Sequence, residues 1–193
     1  MAVNPRFGYP YSTLTPNRNK SKSVSDTLIC VWHYKFLTKN GVRYNVDIEQ
    51  HTHDLFILKF HQDKHRRRKD KYRILTGEYD AYRVFSTILN ITIDVYEKFP
   101  MASFGFVGAR SLDEKSREKT KRWKLYSRIM VDYFSPSQFH HASMPEKSLF
   151  VALNSQKEKQ VPKLWEQIIE QLELEYEEDD DSLESLAFSR SCL

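Results

Sequence analysis

The chain has 193 residues and a formal net charge of +4, with 40% hydrophobic residues, 12 Phe and 11 Tyr, which suits one domain with tails and an aromatic-rich core. No apolar run is long enough for a transmembrane helix, and no apolar stretch follows the first charges as it would in a secretory signal, so the expectation is a cytoplasmic protein that does not associate with membranes. Cys30 lies in an apolar run and Cys192 near the end of the sequence; so far apart, they read as thiols in a reducing compartment and not as a disulfide framework.

The modest net charge hides a division along the chain. Glu166 to Leu193 hold ten acidic residues and one basic residue, a net −9, while Met1 to Trp165 carry +13. A basic body favours anionic partners, and a tethered acidic segment can compete for the same surface.

Residues 1–27 are punctuated by Pro5, Pro10 and Pro16 and keep no helical or strand period, so they read as a flexible N-terminal arm. Phe7, Tyr9 and Tyr11 within it are candidates to dock on the body or on a partner. A single α+β domain is expected over 28–176, followed by an acidic disordered tail over 177–193.

From Ile29 the pattern turns β. Residues 29–37 are dense in β-branched and aromatic side chains, Asn40-Gly41 signals a hairpin, and residues 42–49 alternate apolar and polar. Residues 54–60 read as a third strand and 71–76 as a fourth, completing an antiparallel meander. Asp80 is a candidate cap for a helix whose apolar stripe runs from Ala81 through Val84, Ile88, Ile91 and Val95 to Phe99, before Pro100. A short strand is expected at 102–109. A basic helix then runs from Asp113 to about Phe134, and a loop carries His140 and His141. A strand at 148–154 and a C-terminal helix starting near Pro162, with Trp165, Ile168, Ile169, Leu172 and Tyr176 on one face, complete the order. The predicted fold is α+β: an antiparallel β-meander packed on a central helix, followed by strand, basic helix, strand and C-terminal helix.

Two elements concentrate positive charge. The loop around Lys64, Arg66, Arg67, Arg68 and Lys69 is the densest cluster, suited to gripping phosphates or to blocking a sheet edge. On the basic helix, Arg117, Lys121, Lys124 and Arg128 recur at spacings of four, three and four and share one stripe. Trp123 and Tyr126 lie beside it as stacking candidates, although core packing is the commoner use of such residues. Arg110, in the junction 105–111, adds a bidentate phosphate donor near a helix start, although a plain strand–helix turn is the commoner reading and Asp113 and Glu114 would repel an anion there.

Other chemistry is poorly signalled. His51, His53, Asp54, His61 and His65 form the best local ligand set, but no Cys pair or H-E-x-x-H supports it, so no metal and no cofactor is expected. No nucleophile sits in an activating context, and catalytic residues are not assigned.

The order of Tyr34-Lys35-Phe36, Asn40-Gly41, residues 80–87, Phe99-Pro100 and residues 121–126 resembles small bacterial domain families of unassigned activity. These are built from a β-meander, a helix, a strand and a basic-aromatic helix. The resemblance covers roughly residues 30–153 and implies that fold order and a bacterial or mobile-element origin, but no function. The basic insertion at 64–71, the arm and the acidic tail depart from it.

Three functions are expected in turn. The first is a non-catalytic module that binds nucleic acid or another polyanion through the loop and the helix face. The second is a regulatory subunit that docks a basic protein partner through Trp165, Ile169, Glu177, Glu178, Asp179, Asp180 and Asp181. The third is an enzyme with a dispersed site.

Overall fold

A computed structural model describes residues 7–14, 17–18, 27–74, 80–116, 118–170 and 172. Arg117, the 75–79 segment and the acidic tail at 177–193 lie outside the described residues.

The hairpin is as the sequence predicts. Strands β3 (Leu28–Leu37) and β4 (Arg43–His51) pair antiparallel with Phe36 opposite Tyr44 and Tyr34 opposite Val46. Gly41 takes φ +76°, which a side chain would resist, and the Thr38 carbonyl accepts its N–H at 3.0 Å. The third strand, β5 (Leu55–Gln62), pairs antiparallel with β4.

Among the described residues the expected fourth meander strand is not formed. Residues 71–74 lie in turns, and the rest of that stretch is outside the described residues. The strand that follows in the sheet is instead β6 (Ser103–Val107), reached through helix α1 (Ala81–Lys98) and paired parallel to β5. A parallel neighbour requires such a crossover, whereas a hairpin cannot supply it. Strand β8 (Leu149–Asn154) continues on β6, and β7 (Phe139–Met144) closes that side of the sheet. The loop expected around His140 and His141 is therefore an edge strand. On the opposite edge, β1 (Tyr11–Thr13) and β2 (Asn17–Arg18) both pair with β3, so part of the arm joins the sheet. The architecture is α+β, with strand order β1-β3-β4-β5-β6-β8-β7 and β2 beside β3.

Helix α2 runs from Lys121 to Tyr133, not from Asp113. Its N-cap is Thr120, whose hydroxyl accepts the Trp123 N–H. The C-terminal helix starts close to Pro162, as expected, but a short helix that the sequence does not suggest precedes it. Asn154 caps a short helix α3 (Ser155–Gln160), Lys163 turns the chain at φ +57°, and a further helix, α4, covers 164–170.

The sheet is covered on both faces. On one, Tyr34, Phe36, Tyr44, Val46, Ile48, Phe56, Phe104, Phe106 and Phe150 pack with Val84, Ile88, Ile91 and Val95 of α1 and Met130 of α2. On the other, Leu55, Ile57, Leu149, Val151 and Leu153 pack with Leu164, Ile168 and Leu172. Ser86 and Thr87, on the polar side of α1 in sequence, are buried as well. The N-terminal segment accounts for this at Thr87: the Tyr9 N–H donates to its hydroxyl at 2.7 Å, the Tyr9 ring stacks on Phe36 and Arg83 lies over that ring. Asp80 makes no capping bond through its side chain and accepts the Tyr9 hydroxyl instead. Among the described residues no helix is long and apolar enough to cross a membrane.

Candidate nucleic-acid interface

The two basic elements, about fifty residues apart in sequence, meet through Arg122. From α2 its guanidinium donates to the Tyr72 carbonyl and, at 2.7 Å, to the Ile74 carbonyl. Burial holds this guanidinium below its ordinary pKa, against the attraction of Tyr126, Glu114 and Asp113. Beside it, Arg73 Nε donates to the Arg110 carbonyl at 3.2 Å. The segment that follows β5 is thereby tied both to α2 and to the turn after β6.

Tyr72 anchors the same loop on the other face of the sheet. Its hydroxyl donates to Asp47 Oδ2 at 3.1 Å, and its ring meets His61 edge-on at 5.4 Å. The loop thus wraps the carboxyl end of β5, its root held on both sides of the sheet. Its outer residues, Lys64, Arg66, Arg67, Arg68 and Lys69, are all exposed. Internal carboxylates neutralise some of this charge: Arg68 binds Asp70 through two nitrogens at 2.8 and 2.7 Å, and Arg66 lies 4.0 Å from Asp63. The bond to Arg68 holds the Asp70 carboxyl below its usual range.

On α2, Lys121, Lys124 and Arg128 are exposed along one stripe, with Lys121 bound to Asp113 at 2.6 Å. The aromatic stacking candidates belong to the core. Trp123 Nε1 donates to the Leu149 carbonyl at 3.1 Å, and Tyr126 packs edge-on against Phe85 and Phe106. Sequence spacing puts them beside the cations; the turn of the helix points them at the sheet.

The strand–helix junction that carries Arg110 is already occupied by a carboxylate. Glu114 accepts the Ser111 N–H at 2.8 Å and the Lys121 N–H at 2.7 Å, so the chain's own carboxylate occupies the start of α2. Burial pushes Glu114 up, and the two backbone donors outweigh it, leaving its pKa below the ordinary value. Arg110 is half-buried next to this turn.

The metal set does not assemble. His51 ends β4 while His53 sits in a 3-10 turn at φ +60°, so the two do not share a strand face. Among the described residues no group of three or more His, Cys, Asp or Glu is arranged to hold a metal. At the far end of the sheet, Trp165 and Ile169 line an open groove with Ser143, Met144, Glu166 and Glu170.

Sequence reading counts Arg122 only among the cations that widen the basic stripe, and it does not single out Arg73, Tyr72, His33 or Asp47. A signal exists for the last two. The period of two in β3 and β4 places His33, Lys35, Asn45 and Asp47 on one polar face, and register sets His33 opposite Asp47 and Asp47 opposite Lys59. Comparisons with protein-family models, curated proteins and solved structures return no match to this chain.

Proposed function

We propose that this chain is a module that binds nucleic acid, or a polyanion of the same phosphate chemistry, through one surface made of the 64–69 loop and α2. The observation that carries the reading is the grip of Arg122 on Tyr72 and Ile74, which makes two separate basic segments into neighbours. Lys64, Arg66, Arg67, Arg68 and Lys69 contact phosphates from the loop, and Lys121, Lys124 and Arg128 from the helix, with Arg110 and Arg117, the latter outside the described residues, as further candidates. No base-reading element accompanies them among the described residues, so the recognition is of backbone charge, weakly selective for sequence and strongly dependent on salt.

The test is titration of labelled RNA and DNA with wild-type protein and two variants, one neutralising the five loop cations and one neutralising Lys121, Lys124 and Arg128. Each variant loses affinity for both nucleic acids. Unchanged affinity in both variants contradicts the reading.

A second reading draws on the groove lined by Trp165, Ile169, Glu166 and Glu170. Its apolar floor and acidic rim suit a basic protein partner, and Glu177, Glu178, Asp179, Asp180 and Asp181, outside the described residues, are further acidic candidates for docking it. Deletion of 177–193 then weakens capture of that partner. Under the first reading the same deletion raises polyanion affinity at low salt.

A further inference from the structure

Beyond the apolar strip under α4, the second face of the sheet is polar across β3, β4 and β5. We propose that this polar face is an RNA-cleaving site, with His33 as its general base and Asp47 as the residue that positions it. The proposal rests on the nucleic-acid reading above and names both the substrate and the chemistry.

The geometry is that of a base and its orienter. His33 Nδ1 lies 2.7 Å from Asp47 Oδ1. The other carboxylate oxygen of Asp47 accepts the Tyr72 hydroxyl at 3.1 Å, so the carboxylate is held at both ends. A carboxylate accepts, so the proton of the neutral imidazole sits on Nδ1 and the lone pair on Nε2, at the far side of the ring from Asp47. The His33 side chain retains 36% of its accessible surface while that of Asp47 retains 15%. The base is therefore open to a substrate and its orienter is shielded.

The surroundings suit a phosphodiester. Lys35 is exposed on the same strand face, two residues from His33, and can meet a non-bridging oxygen. Arg43, 3.8 Å from Asp63, stands between this face and the basic loop, which is the surface proposed to hold the strand. Tyr72, the residue Arg122 grips through its carbonyl, bonds the far carboxylate oxygen of Asp47 and so couples the His33 site to the basic surface.

RNA brings its own nucleophile, so the chain need supply none. The 2′-oxygen forms a bond to phosphorus as the bond from phosphorus to the 5′-oxygen breaks. His33 Nε2 takes the 2′-hydroxyl proton, the departing 5′-oxygen takes a proton from water, and His33 returns its proton to the hydroxide so formed. The products are a 2′,3′-cyclic phosphate and a 5′-hydroxyl end.

The experiment compares a labelled RNA oligonucleotide with its fully 2′-deoxy counterpart, using the full chain and His33→Ala and Asp47→Asn variants purified identically. Wild type cuts the RNA and leaves the deoxy strand intact, and the cut ends carry the cyclic phosphate. His33→Ala lowers the rate by about 100-fold or more with binding unchanged. Asp47→Asn lowers kcat by a larger factor than it raises KM, which a merely structural role would not do. RNA that is bound but left intact, or cut equally by His33→Ala, overturns the inference and leaves the binding reading standing. RNA that is not bound at all overturns both.

Discussion

His61 is buried on the face that Tyr72 covers, and its Nδ1 meets no hydrogen-bond partner among the described residues. Burial, with Lys71 nearby, holds its pKa below the ordinary 6.5. An unfolded chain then binds the proton more readily than the folded one. The stabilisation is complete above the ordinary value and is lost as pH falls through the depressed one. Glu49 extends the loss to lower pH: burial pushes it up, but His51 and Lys59 outweigh this and hold it below its ordinary 4.5. Urea midpoints should therefore decline from neutral pH downward, and His61→Gln should flatten the upper part of that decline. An unchanged pH profile in the variant would contradict this reading of His61.

The elements meet most tightly where α2 begins. A Cβ on Gly108 would lie 2.7 Å from the Trp123 nitrogen and from Thr120 Oγ1, in the capping turn itself. Backbone cannot step aside, so Gly108→Ala should cost about 1–3 kcal/mol in denaturant unfolding. A Cβ on Gly105 would meet the end of the Ile57 side chain at 2.8 Å, which can rotate, and Gly105→Ala should cost less. Equal losses would count against the tight seating of α2. The same close approach separates the elements that are legible in sequence from those that are not. The β3–β4 hairpin and α1 follow from local alternation and a stripe of apolar residues, which need no distant partner. The start of α2 does not. Asp113 offers as good a cap as Thr120 in sequence, and only the fold brings Glu114 onto the Lys121 N–H. The parallel β5–β6 pair and the docking of Tyr9 on Phe36 are likewise long-range choices. Strand β7 is hidden in sequence because the His residues that suggest a loop alternate across an edge strand.

For the molecule as a whole, the described basic and acidic residues gather at different places. The basic loop and α2 gather at the carboxyl end of β5, while Glu166 and Glu170 rim a groove beside β7. Each basic cluster is readable from composition and spacing. Their union is not, because it depends on one half-buried arginine in a stretch rich in cations, and nothing local separates Arg122 from Lys121 or Lys124. The most direct test of a single joint surface is the salt dependence of RNA and DNA affinity between about 50 and 200 mM. It would be measured for wild type, the five-cation loop variant, the Lys121, Lys124 and Arg128 variant, and Arg122→Gln. A joint surface predicts a shallower slope in each charge variant, by about 0.7–0.9 for every phosphate that is no longer neutralised. It also predicts that Arg122→Gln, with both exposed clusters intact, flattens the slope by more than a single phosphate's worth. A slope that stays at the wild-type value in Arg122→Gln and in either cluster variant would contradict it.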